Sequence, residues 1–342
     1  MAKPNEPSKQ LAAIFKDIPS TDIASADKVG EKLIAGGADM IAELVGLVGQ
    51  KFGDPAGATP KYALHAAVLY AGRPGRDKDR KTVAETLAAQ LAAKHSNDLK
   101  AFIIRQLQFC GRSAEIPALA KFLGDKTLCE PATQAMLAIG GDEAVAALRG
   151  ALKGADGACR VTFLNAVGRM RDKASAPLAA KLAKDKDRDV RIAAMYALGN
   201  IGSADSAGLM LKAAGGKDSY ERTQIVDAYL LLARRMAAQG DAAAAAKACR
   251  ALPDDRSYDR CAALAVLAES CGAEAAPDLI KAMDCKDVKV RHSAAQIAVK
   301  LAAAVCGKQK DQADKLLTKA VKATKDQAVV QNAELLLAKL GK

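Results

Sequence analysis

The sequence has no tryptophan, and aromatic residues make up only 4% of it. Ala and Leu carry the apolar half of the composition, while β-branched and aromatic strand formers are sparse. This excludes a sheet-built or aromatic-filled core and favours closely approaching helices. No apolar run is long enough for a membrane-spanning helix, so membrane insertion is not expected. The opening MAKPNEPSKQ is charged but lacks an apolar centre, and as it stands it does not read as a secretory leader. A mature exported chain preceded by a Met has the same appearance, so the compartment stays open. Histidine is limited to His65, His95 and His292, none at ligand spacing from a Cys or carboxylate, so neither metal nor cofactor is expected. None of the eight cysteines forms a CxxC pair. The segment GGDEAVAALRG has Gly-Gly before a helix but lacks the Walker spacing and its Lys. With no nucleophile elbow and no Ser-His-Asp set in view, no catalytic residue is assigned. A non-catalytic protein is favoured over an enzyme.

What the chain does have is a repeated brick, clearest at residues 185–216, DKDRDVRIAAMYALGNIGSADSAGLMLKAAGG. Asp187 caps a helix and Asp189 adds negative charge in its first turn. Val190, Ala194, Ala197, Leu198 and Ile201 recur at helical spacing as one apolar stripe. Gly199 and Gly202 loosen the end, Ser203 offers a second cap, and Ala207, Met210, Leu211 and Ala214 form a second stripe ended by Gly215-Gly216. One such hairpin buries too little apolar surface to stand alone and needs neighbours of the same build.

The neighbours follow in register. Asp125, Asp156, Asp187 and Asp218 are 31 residues apart, and Arg160, Arg191 and Arg222 stand four residues after the last three. The pair returns as Asp287 and Arg291 after a longer unit. Locally each pair reads as a cap plus an i,i+4 ion pair. In stacked repeats each Arg would also approach the Asp of the adjacent unit, forming a structural ladder.

Residues 1–20 read as an N-terminal arm and one short helix over 11–18 ended by Pro19, with Ser20 and Thr21 as cap candidates. Residues 21–95 read as irregular helical repeats, with helices split at Gly36-Gly37 and a charged loop RPGRDKDRK at 73–81. Residues 96–342 read as regular repeats closed by a capping helix.

The pattern Asp-x-x-Val-Arg-x-x-Ala-x-x-x-Leu-Gly-x-Ile-Gly at 187–202 resembles HEAT repeats of the short bacterial type, similar to those of the phycobilin-lyase family. The likeness covers about 96–340 and is specific to the repeat rather than to an activity. The tetratricopeptide alternative has a longer period and a Trp-Leu-Gly-Tyr pattern absent here. The resemblance implies an all-α fold, an α-α superhelix of about nine to ten antiparallel helix pairs. It also implies that the second helices line a concave face used for partners.

Cys110, Cys271 and Cys306 fall at core positions and are expected to be buried, inert thiols. Cys129 and Cys159 lie in first turns, where a helix N-terminus lowers a thiol pKa. Cys249, Cys261 and Cys285 map to one edge of neighbouring repeats and are the best disulfide candidates in an exported chain.

The charge balance of 51 Lys+Arg against 39 Asp+Glu, net +12, favours acidic partners without the dense clusters of a dedicated nucleic-acid binder. Lys121, Lys181, Lys212 and Lys281 share about one register on the second helices, with Arg149, Lys184, Lys247 and Arg250 nearby. They form a candidate partner-binding row, weighed against a plain solvated helix face. Glu143, Asp205, Asp241, Glu274 and Asp278 interrupt it in sequence.

The leading expectation is an interaction scaffold for a protein partner. Binding of nucleic acid in a lysine-rich groove, as in HEAT-like DNA glycosylases, ranks second. An enzyme or chaperone resembling phycobilin lyases ranks third.

Overall fold

The structure, a computed structural model, describes residues 6–20, 22–50, 52–253 and 255–341. The described residues are helical throughout their regular parts and contain no strand. They form an all-α helical-repeat fold in two compact units, one ending at Met170 and the other beginning at Arg171.

In the first unit the order is α1 (Lys9–Phe15), α2 (Ile23–Ala35), α3 (Gly37–Gln50), α4 (Ala58–Ala71), α5 (Asp77–Gln90), α6 (Asn97–Cys110), α7 (Ile116–Ala120), α8 (Cys129–Ile139), α9 (Gly141–Gly154) and α10 (Gly157–Arg169). The first helices α2, α4, α6, α8 and α10 pack side by side as one layer, and α3, α5, α7 and α9 form the other. The helix over 11–18 stops earlier than the sequence implies, at Phe15. Ser20 does not cap α2. Asp22 does, accepting from the Ser25 N–H at 2.8 Å while the Ser25 hydroxyl accepts from the Asp22 N–H. Thr21 and the first five residues lie outside the described set.

The second unit runs α11 (Ala176–Leu182), α12 (Arg188–Ile201), α13 (Ala207–Ala214), α14 (Ser219–Ala238), α15 (Ala242–Ala251), α16 (Ser257–Cys271), α17 (Ala276–Met283), α18 (Val288–Val305), α19 (Lys310–Ala323) and α20 (Gln327–Leu340). Here α12, α14, α16, α18 and α20 are the layer of first helices, and α11, α13, α15, α17 and α19 are the second helices.

The brick at 185–216 shows why the layers form. Asp187 accepts from the Asp189 N–H at 2.9 Å and opens α12. Val190, Ala194, Ala197, Leu198 and Ile201 are all buried, and each of the larger ones contributes about 1.5–3 kcal/mol. Gly199 is required by packing: a Cβ there would stand 2.3 Å from the Ala228 carbonyl oxygen of α14. Gly202 closes α12 in the left-handed region, φ +78°. Ser203 makes no side-chain cap; a 3-10 turn over Ala204–Ser206 leads into α13 instead. Comparable turns precede α7, α11 and α17, where Pro117, Pro177 and Pro277 occupy the first helical turn, a position whose N–H has no intrahelical partner. In the second stripe Met210 and Ala214 are buried, while Ala207 and Leu211 stay half-exposed.

The repeated Arg residues tie loops and repeats together. The Arg191 guanidinium donates to Glu221 of the next repeat at 2.6 and 2.7 Å, and to the Asp185 and Lys186 carbonyls of its own preceding loop. The partner across the boundary is thus Glu221 rather than Asp218, which instead caps α14 by accepting from the Glu221 N–H. Arg222 reaches Asp255 and Asp259. Arg160 and Arg291 bind loop carbonyls, of Ala155 and of Cys285 and Lys286. Asp287 caps α18, whereas Asp156, at the start of α10, makes no side-chain cap bond.

Candidate functional site

The positions of the cations follow from helix electrostatics. Lys181, Lys212, Arg250 and Lys281 lie in the last turns of α11, α13, α15 and α17, where the helix dipole favours positive charge by about 0.3–1 kcal/mol each. Lys184 follows α11 and Lys247 lies on α15. In the first unit Lys121 is the C-cap of α7, and Arg149 lies on α9.

Glu143, Asp205, Asp241, Glu274 and Asp278 sit at or just before the opposite, N-terminal ends of these helices. The acids that interrupt the basic residues in sequence are therefore set apart from most of them in space. Asp278 is the exception, pairing with Arg250 at 2.9 Å. Lys121, Lys181, Lys184, Lys212, Lys247 and Lys281 are exposed and make no ion pair among the described residues.

In the first unit α5, α7 and α9 pack on one another, whereas in the second the packing of α11 on α13, α13 on α15 and α15 on α17 is sparse. The groove between α13 and α15 has walls of Ala207, Gly208, Leu211, Ala244, Ala248 and Ala251, with Tyr229 and Met236 of α14 beneath and Lys247 at the rim; it encloses about 360 Å³. Tyr229 is buried, and its hydroxyl donates to the Ala248 carbonyl at 3.1 Å, which ties the floor to α15.

The groove between α15 and α17 encloses about 480 Å³ over Ala263, Leu264 and Leu267 of α16, with Arg250, Arg260, Asp278 and Lys281 around it. Together they present an apolar floor under a mainly basic rim. A further groove in the first unit, about 490 Å³, lies between Leu123 and Gly124 on one side and Gly150, Ala151 and Gly154 on the other, over Phe163.

The segment 73–81 is not a hydrated loop. Its second half is the first turn of α5, which begins at Asp77. Arg73 pairs with Asp27, and that guanidinium bond holds the Asp27 carboxyl below its ordinary range. Arg76 stacks 3.8 Å from the Tyr70 ring centre, and Arg80 donates to the Cys110 and Gly111 carbonyls. These arginines fasten neighbouring helices of the first unit.

The cysteines need correction. The disulfide joins Cys129 and Cys159, whereas Cys249, Cys261 and Cys285 are free thiols. The reason is register: Cys129 and Cys159 open α8 and α10, adjacent helices of one layer, and their Cα atoms are 6.0 Å apart. The lowered thiol pKa expected for this pair does not apply to a bonded disulfide. Cys110 is buried, and desolvation pushes its thiol up to about 12; the same effect brings Cys249 to about 12. Cys271 and Cys306 are only half-buried, because the ends of α16 and α18 are less covered than the end of α6.

His65 bonds Gln106 at 2.8 Å, His95 faces Gln90, and His292 meets Thr324 and Asp326. Among the described residues no three His, Cys, Asp or Glu side chains gather as a metal site.

Two features escaped the sequence reading. The grooves beside α15 arise from helix separation, which periodicity does not report. The other is a pair of exposed tyrosines, Tyr220 and Tyr258, 58% and 72% accessible, under Arg188 and Lys289. Each follows a Ser at the start of a first helix, and that repeated Ser-Tyr was a readable signal.

A family model described as HEAT repeats matches residues 145–229, from α9 into α14. No curated protein gives a match. Among solved structures, an engineered protein is similar at 19% identity, covering 98% of this chain and 100% of that one, with a TM-score of 0.42. The Escherichia coli protein YibA is similar at 16% identity over 82% of this chain and 97% of its own, TM-score 0.43. The complex of CpcE and CpcF of phycocyanin lyase from Nostoc sp. PCC7120 is similar at 18% identity over 75% of this chain and 94% of that one, TM-score 0.32. With its repeat register and its alternating layers of first and second helices, the chain has an all-α helical-repeat fold that carries HEAT repeats over residues 145–229.

Proposed function

We propose that the chain is a non-catalytic scaffold that binds a protein partner with an acidic surface through the face formed by its second helices. A stack of helix pairs presents a long surface at little cost to the fold, and partner binding needs no reactive constellation. One observation carries the reading: on the second helices of the second unit, the exposed lysines Lys247 and Lys281, unpaired among the described residues, border open grooves with apolar floors. Apolar floors supply affinity, and the basic rim selects for carboxylates and speeds encounter.

The test compares proteins retained from cells of origin by the tagged chain and by a variant with Lys181, Lys212, Lys247 and Lys281 changed to Glu, both checked by thermal melt. The reading expects a protein retained by the wild type and reduced at least tenfold in the variant. Equal retention by both, or retention of nuclease-sensitive nucleic acid alone, overturns it.

A further inference from the structure

On the second helices of the second unit, two grooves lie side by side with a single helix between them. Helix α15 is built largely of alanine, packs only sparsely on α13 and α17, and stands between the two grooves. The groove on the α13 side is the smaller, about 360 Å³, and apart from Lys247 its lining is mainly apolar. The one on the α17 side is larger, about 480 Å³, and has the Arg250–Asp278 pair in its lining. Both floors belong to first helices, so both open on the same side.

Resting on the scaffold reading above, we infer that α15 is the ridge of a two-groove docking site for an extended, acidic peptide segment, whose two apolar side chains three residues apart seat in the grooves on either side.

The dimensions select the backbone. A helix with its side chains is about 10 Å across, so the two grooves flanking α15 are separated by roughly that distance. A polyproline-type segment has three residues per turn and advances about 3.1 Å per residue, so residues i and i+3 point the same way about 9 Å apart. An α-helical ligand is as broad as α15 itself, rests on the ridge and reaches neither floor. The charge selects the composition. Lys247 and Lys281 line the two grooves and make no ion pair among the described residues, and Asp278 of α17 is already matched by Arg250. Carboxylates flanking the two anchors meet these lysines at the rim, where electrostatics steers and selects.

Gly208 provides a clean test. It lies on α13 at the edge of the smaller groove, and a Cβ added there meets nothing within 4 Å. Gly208→Phe fills the groove without crowding the core and improves local helix propensity. The probe is a library of random dodecapeptides displayed on phage, selected on the full chain. The inference expects acidic sequences with two apolar residues at i and i+3, free of a helical i,i+7 pattern, with affinities at least tenfold weaker for Gly208→Phe and for Lys247→Glu. Both variants should melt as the wild type does, and binding should weaken as salt is raised. No enrichment over an unrelated protein, basic or neutral consensus sequences, or binding untouched by Gly208→Phe overturns it. If a cellular partner is still lost on mutating the lysines while Gly208→Phe leaves its binding intact, this docking site is wrong and the scaffold reading stands. If no partner depends on the lysines, the scaffold reading itself has failed.

Discussion

Arg222 is a charged side chain held almost out of water, bridging Asp255 at the surface and Asp259 within, which is only 4% exposed. The Asp255 bond is the main reason the guanidinium holds its proton more tightly than usual. Removing the Arg222 side chain leaves Asp259 buried with Arg256, 3.7 Å away, as its one remaining ion-pair partner among the described residues. Arg222→Ala is therefore expected to cost about 2–3 kcal/mol in chemical denaturation, well above a typical surface substitution.

Asp125, in the turn before α8, and Asp287, the cap of α18, both accept several hydrogen bonds. Hydrogen bonds from the Thr127 hydroxyl and backbone hold Asp125 below its ordinary value of 3.8, and the Ser257 hydroxyl does the same for Asp287. A carboxylate whose folded pKa is depressed stabilises the fold above the unfolded value, and that stability is lost as pH falls through the folded value. The melting temperature should thus drop as pH is lowered from about 5 towards 2, and Asp125→Asn should flatten that slope. An unchanged slope in the variant would remove Asp125 from the explanation.

Between elements, small residues decide how close helices come. At Gly199 the backbones of α12 and α14 meet so tightly that Gly199→Ala should destabilise by about 1–3 kcal/mol, since backbone rather than a flexible side chain must move. Cys129–Cys159 fixes two neighbouring first helices and closes a loop with a sequence separation of 30. Its reduction should lower the stability of the first unit by about 3–4 kcal/mol on the loop-entropy estimate. Hydrogen exchange resolved by segment would show the change in α8 to α10 and little in α14 to α18.

The helices themselves were legible from Val190, Ala194, Leu198 and their equivalents, because burial of one face writes a helical period into the sequence. The disulfide was not, since Cys129 and Cys159 are paired by how two repeats align and not by any local spacing. Nor was the end of α1 or the start of α5, where propensity is weak and tertiary contacts such as Arg73–Asp27 decide. Of the candidate site, the exposed lysines were visible in register. The grooves were not, because Ala244 and Ala248 look alike whether a neighbouring helix covers them or leaves them open.

On α13, α15 and α17 charge follows one rule, acids at or just before the N-terminal ends and bases towards the C-terminal ends. Helix dipoles alone favour that arrangement, so the lysines stabilise the helices whether or not anything binds. What dipoles do not require is the open apolar floor beside them, and that combination is the basis for reading this face as the partner surface. The first helices present the competing surface, with Tyr220 and Tyr258 exposed at their N-terminal edge.

Hydrogen–deuterium exchange of the chain with and without its captured partner separates the two most directly. The second-helix reading predicts protection concentrated in α13, α15 and α17, with the Tyr220 and Tyr258 turns exchanging as in the free chain. Protection at those turns with α13, α15 and α17 unchanged would contradict it.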